Sequence, residues 1–240
     1  MKKHPNNKLK KASILTFFTS KKDGNLAFHV NDDRTRVITN HKTLAIKHNY
    51  NFQNLVHMKQ IHSDIVHIVQ KEDNFENPPT CDALITNKKN IPLMVMVADC
   101  TPVLFYDEIK SVIGVAHAGR QGAFSNIVKK VILSFKDTFG SKVDTIKVKV
   151  GASICPSCYE VGAEINTEAI SLGFHYAIMK KNNRFYLDVN AILLTQLKQC
   201  GIIDKNIDLV TECSACNNKK YYSYRREGQT GRFAGVITLV

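Results

Sequence analysis

Three residues able to bind a metal stand beside apolar segments of this 240-residue chain: His62 in KQIHSD, Cys100 in VADCTP and His117 in AHAGRQG. Two imidazoles and a thiolate suit zinc or copper, and three protein ligands leave a fourth position for water, as in catalytic zinc sites. His62 comes just before the apolar run 64–69, Cys100 ends the run in VADCTP, and His117 sits between a strand and a helix, at strand ends where α/β proteins gather functional groups. Gly119 and Gly122 beside His117 let backbone and ligand approach closely. Taken singly, each also has a plainer reading, because a buried cysteine packs as a small hydrophobe and a lone histidine on a strand is commonly a satisfied core residue. No local ligand motif links the three positions. Cys100 and His117 equally suit a thiolate nucleophile and its base, with no metal involved.

Two further groups of residues carry possible chemistry. Cys155-Pro-Ser-Cys158 and Cys213-Ser-Ala-Cys216 are both CxxC pairs. Together they suit a closed four-thiolate zinc site, but the 54 residues between them exceed the 15–20 of compact zinc modules. The competing reading is a set of unpaired, reduced cysteines. In SYRREGQTGR, Arg225, Arg226 and Arg232 surround Gly228 and Gly231. Such a loop grips phosphate or carboxylate through bidentate bonds, or is simply a charged surface turn. Tyr159, Glu160 and Asp188 are polar groups next to apolar segments, and Glu160 is of a type that serves as a general acid or base.

The elements that must position these residues are legible in part. Residues 34–48 read as a weakly amphipathic helix. Residues 64–69, 92–98, 103–106, 112–118 and 145–151 read as strands, from alternation or from short, continuous apolar runs. Apolar residues from Ala123 to Phe139 recur at helical spacing, with Gly140 placed as a C-terminal stop. A third helix spans 190–200 and ends at Gly201, while YYSY and VITLV read as closing strands. Strands and helices mix without a strict βαβ rhythm, which predicts an α+β (mixed α/β) fold. With no repeat or linker, the chain reads as one domain over 16–240 behind a basic N-terminal arm at 1–15.

Composition bounds the function. Hydrophobic residues make up 44% and charged residues 22%, ordinary values for a globular chain. Of the net charge of +12, residues 1–50 carry a surplus of 8, so the basic character is local. No helix-turn-helix, zinc-knuckle or stacking-aromatic pattern follows it, which argues against nucleic acid as the partner. No window supports a membrane span or a signal-peptide core, and a cytoplasmic location with reduced cysteines is expected.

Taken in order, KQIHSDIV, CDALITN, VADCTPVLFYD, VIGVAHAGRQGAF, VGASICPSCYEVG, FYLDVNAILLTQL and YYSYRREGQTGRFAGVI resemble the bacterial laccase-domain family. Its members are described as multicopper polyphenol oxidases and as purine nucleoside phosphorylases. The resemblance runs from about Thr16 to the C-terminus. It implies two mixed β-sheets packed between helices, similar to the catalytic domain of a cysteine-dependent deamidase toxin. It implies metal ligation by His62, Cys100 and His117, usually of zinc, with copper the other candidate. The implied activities are phosphorolysis of adenosine, inosine, guanosine and methylthioadenosine, and hydrolytic deamination of adenosine. The alternatives are a metal-independent cysteine hydrolase and a copper-dependent polyphenol oxidase. A copper laccase needs several coppers held by closely spaced histidines, and this chain has no His-x-His pair. Arg225, Arg226, Arg120, Asp99 and Gln60 are the candidate substrate-binding residues, the arginines as phosphate grips, with Asp99 and Gln60 also placed to orient the metal ligands. Arg120 and Gln121 stand where the family usually has Trp-Arg.

Overall fold

The computed structural model describes residues 13–240, so all but the last residues of the expected basic arm lie outside the described residues. The expected mixed α+β class is found, and two sheets form its centre. The larger has six strands in the order β11 (Ile207–Leu209), β7 (Ile146–Val150), β5 (Thr101–Asp107), β6 (Val112–Ala118), β3 (Ala83–Thr86) and β2 (Val66–Ile68). Its two outer pairs, β11 with β7 and β2 with β3, are parallel, and the inner pairs are antiparallel. The second is an antiparallel sheet of β1 (Ile14–Phe18), β12 (Phe233–Leu239) and β4 (Leu93–Val97). A small antiparallel sheet of β8 (Glu160–Val161), β10 (Arg184–Leu187) and β9 (Ile178–Lys181) stands apart from these two.

Strand alternation dictates the layering, because neighbouring side chains on a strand point to opposite faces. Val103 and Phe105 face one core with the helices α3 (Ile127–Phe139) and α5 (Val189–Gln199), through Val131, Phe135, Ile192 and Leu193. Leu104, Leu84 and Val115 face the second core, meeting Leu93, Val95 and Ile237 of the three-stranded sheet. Met94, Met96 and Val236 look out from the far side of that sheet toward Leu44 of α1 (Arg34–Lys47). The result is four layers, helix, sheet, sheet, helix. Strand β4 is covered on both faces, which is why its sequence is an unbroken apolar run.

Local chemistry modified two expected elements and gave Asp188 a capping role. The helix expected over 123–139 is two, α2 (Arg120–Phe124) and α3, broken where Asn126 adopts a left-handed conformation (φ 58°) and caps Lys129 N–H. Asp188 is the N-cap of α5, accepting from Ala191 N–H, and not a chemical group. YYSY is not a strand. Ser223 accepts from Arg226 N–H and starts the short helix α6 (Tyr224–Glu227), so capping wins over β propensity there. The remaining helix, α4 (Ala163–Ser171), lies on the surface side of β10. Among the described residues, no helix is long and apolar enough to cross a membrane.

Candidate metal centre

Cys100 sits in the tight connection between β4 and β5, and His117 is the sixth residue of β6, which pairs with β5 at Pro102. His62 lies in the loop before β2. The ligand atoms of His62, Cys100 and His117 come within 4.8 Å of one another. The fit to a metal is chemical as well as geometric. His117 Nδ1 donates to Asp82 Oδ1 at 2.8 Å, which fixes the tautomer and leaves Nε2 free to ligate. Gly119 is required by space, because a Cβ there would meet Cys100 Sγ at 2.8 Å and His62 Cδ2 at 3.5 Å.

Asp82, just ahead of β3 in CDALITN, organises the centre. Its carboxylate is fully buried and accepts from the backbone N–H groups of Ile61 (3.2 Å), His62 (3.1 Å) and Ser63 (2.7 Å). It also accepts from Ser63 Oγ at 2.7 Å and from His117. Burial alone would raise its pKa, but the His117 and Ser63 hydrogen bonds outweigh this and bring it to about 2. The same bonds hold His62 in a left-handed conformation (φ 60°), a backbone state that a non-glycine residue keeps only when its surroundings impose it. One buried acid therefore aims both imidazoles. Sequence reasoning overlooked it, although an aspartate opening the otherwise apolar strand segment ALIT is the signal that could have found it.

The electrostatics of the triad favour a deprotonated sulfur. Burial pushes the Cys100 thiol up, but the His117 charge and hydrogen bonds from both histidines bring it down to about 6. Burial opposes charge on His117 too, yet Cys100 and Asp82 raise it to about 9. A deprotonated sulfur is the form that binds a metal.

The triad opens into a cavity of about 290 Å³, at the lower end of the ~300–1,000 Å³ of small-molecule sites. Met96, Val97, Ala98 and Ile154 give it an apolar wall, and Tyr159, Tyr224, Arg120, Arg225 and Arg232 give it a polar one. Arg225 donates to the Glu160 carbonyl and lies over the Tyr159 ring, while Arg232 donates to the Thr230 and Gly231 carbonyls. Among the described residues, neither guanidinium has a carboxylate partner, whereas Arg120 is paired with Glu168 at 2.9 Å. Burial pulls the Arg232 pKa below its usual value, a cost that an anion in the cavity would offset.

The expected site residues thus divide. His62, Cys100, His117, Arg120 and Arg225 meet at one cavity, and Arg232 and His29 join them. Arg226 is exposed and outside the lining. Asp99 lines the cavity but orients no metal ligand; it accepts from Ser214 Oγ and Arg225 N–H, both at 2.7 Å, and so ties two loops together. Gln60 likewise spends its amide on both backbone groups of Met96. The hydrogen bonds to His117 and to the backbone of His62 come instead from Asp82. Glu160 turns its carboxylate away into an ion pair with Arg184.

Residues 18–240 match the family model for multi-copper polyphenol oxidoreductase laccases. A purine nucleoside phosphorylase of Corynebacterium glutamicum is 36% identical over 218 residues, 90% of this chain and 86% of that protein. Adenosine deaminase RL5, from an unknown prokaryotic organism, is 31% identical, over 88% of this chain and 86% of its own. The solved structure of hypothetical protein YfiH from Bacillus licheniformis superposes with a TM-score of 0.90 at 27% identity, covering 95% of this chain and 93% of that one. With a family match over residues 18–240 and a shared fold over 95% of the chain, this chain belongs to the multi-copper polyphenol oxidoreductase laccase family.

Proposed function

We propose that this protein is a metal-dependent purine nucleoside phosphorylase, with zinc as the resident ion. The observation that carries the reading is the His62–Cys100–His117 triad opening into a cavity with an apolar wall on one side and, on the other, Arg225 and Arg232, which have no carboxylate partner among the described residues. The names of the C. glutamicum relative and of RL5 support purine nucleosides as the substrate class. When bound, the ion supplies Lewis acidity at the floor of the cavity.

The chain's own residues do the rest. Met96, Val97 and Ile154 offer a dry surface for the purine ring, and Tyr159 and Tyr224 supply aromatic faces with hydroxyl tips. Arg225 and Arg232, free of carboxylates, hold the phosphate dianion and orient one oxygen toward C1′ of the ribose. A bond forms between that oxygen and C1′ as the C1′–N9 bond breaks. The electron pair leaves with the purine, which takes a proton and departs as the free base. Adenosine, inosine, guanosine and methylthioadenosine share the atoms involved. Hydrolytic deamination of adenosine is the companion activity: a water oxygen bonds to C6, the C6–N6 bond breaks, and the amino group takes a proton from the water and leaves as ammonia, giving inosine.

Cys100→Ala tests the reading. The variant is expected to lose the metal of the cavity and, with it, base release from nucleosides; wild-type metal content with full turnover would refute it. The cysteine hydrolase alternative rests on the same Cys100–His117 proximity. It predicts the opposite response to chelators, which would leave activity intact while thiol alkylation abolished it.

A further inference from the structure

The parallel pairing of β11 with β7 has an effect beyond the sheet. The segments that leave these two strands continue side by side: Val210 N–H donates to Val150 O at 2.9 Å, Ser153 bridges Cys213 in parallel, and Ser214 N–H donates to Ser153 O at 3.0 Å. Two CxxC turns far apart in sequence are thereby delivered to one place. All four cysteines are free thiols, and their sulfurs lie within 4.8 Å of one another. Cys158 Sγ is 3.4 Å and Cys155 Sγ 4.0 Å from Cys216 Sγ. A tetrahedral ion with metal–sulfur bonds of ~2.3 Å places its sulfurs about 3.8 Å apart, which falls between these distances.

We propose that Cys155, Cys158, Cys213 and Cys216 form a second metal site, a closed tetrathiolate that takes one zinc ion and has a structural role. The surroundings fit such a centre. Cys213 Sγ accepts from the backbone N–H of Cys155 (3.2 Å) and of Cys216 (3.4 Å), contacts that stabilise a sulfur carrying negative charge. As the ion binds, each thiol gives up its proton to solvent, so loading is favoured by rising pH. Four protein ligands leave no open coordination position, which separates this site from the three-ligand centre in the cavity. The two sites are connected through the loops. Cys158 is followed by Tyr159, which lines the cavity, and Ser214 between the second pair of cysteines donates to Asp99. The ion therefore pins together two loops that shape the cavity wall.

The test uses the full chain with His62→Ala and His117→Ala combined, which removes the cavity ligands and leaves all four cysteines. Elemental analysis is expected to find one equivalent of zinc per chain, against two in wild type. X-ray absorption at the zinc edge is expected to show sulfur neighbours only, at ~2.3 Å. A second variant, Cys155→Ser with Cys216→Ser, should lose one equivalent and keep the other. The proposal is overturned if the histidine double variant holds no metal, if its zinc has nitrogen neighbours, or if alkylation and mass spectrometry find the four cysteines in disulfides. Because the histidine double variant carries no cysteine change, misfolding of the serine variant would not obscure the result.

Discussion

At the scale of single residues, the centre depends on one acid more than on any of its neighbours. The carboxylate of Asp82 holds the His117 tautomer and the His62 loop together, so its loss disturbs two ligands at once. Asp82→Asn can still accept from His117 but no longer carries the charge that all its donors share. Metal affinity is expected to fall by roughly 10–100-fold, read by competition with a chromophoric chelator. An unchanged affinity would show that His117 needs no partner. Gly119→Ala is the steric counterpart. Its new Cβ would sit 2.8 Å from Cys100 Sγ, so the variant should fold but bind metal substoichiometrically, as elemental analysis would reveal. The ligands themselves were legible in the sequence because histidine and cysteine at strand ends attract attention. Asp82 was not, because an aspartate's meaning depends on whether its loop folds back over it.

At the scale of elements, periodicity located most strands and helices, and capping decided where they end. Asn126 and Ser223 each override the apolar pattern around them by bonding to nearby backbone N–H groups. Helix α1 adds a pH-sensitive contact. His41 is fully buried, its Nε2 bonds to Leu26 O at 2.8 Å, and its Nδ1 has no partner among the described residues. Burial brings its pKa down from 6.5 to about 4. The folded state thus resists the proton that the unfolded chain takes up readily. Stability is full above pH 6.5 and is lost as pH falls from there through about 4. Integrating between these values gives a loss of about 2 kcal/mol at pH 5 relative to pH 7. Urea unfolding of wild type and His41→Gln at both pH values checks this, since glutamine does not titrate. The variant should show a smaller acid loss by about that amount, and an identical loss would assign the sensitivity elsewhere, with the similarly buried His57 the next candidate.

At the scale of the whole molecule, four layers bring the turn between β4 and β5, the end of β6, the loop before β2 and the α6 segment to one cavity. Alternation predicted the strands, but their order was not in the sequence, because pairing partners are chosen by the packing of the two sheets. The same limit explains the cysteines. A spacing rule for compact zinc modules weighs against pairs with 54 residues between them, whereas parallel strands make sequence distance irrelevant. The Arg-Gln pair at 120–121 also acquires a meaning at this scale. Arg120 lies over the Phe124 ring and pairs with Glu168, so its charge is already committed, and Arg225 and Arg232 remain for phosphate. Arg232→Ala is therefore expected to raise the KM for phosphate at least tenfold, while Arg226→Ala, outside the cavity, changes it little. Steady-state kinetics with phosphate varied would separate the two.

The central claim is that base release needs both the metal and phosphate at this cavity. The most direct measurement follows free adenine from adenosine by chromatography. It uses the full-length protein carrying its metal and the same preparation stripped by a chelator, each with and without phosphate. Adenine is predicted only from the loaded protein in the presence of phosphate, and readdition of zinc to the stripped protein restores it. Equal turnover by loaded and stripped protein would contradict the account, as would a loaded protein that yields no adenine when phosphate is supplied.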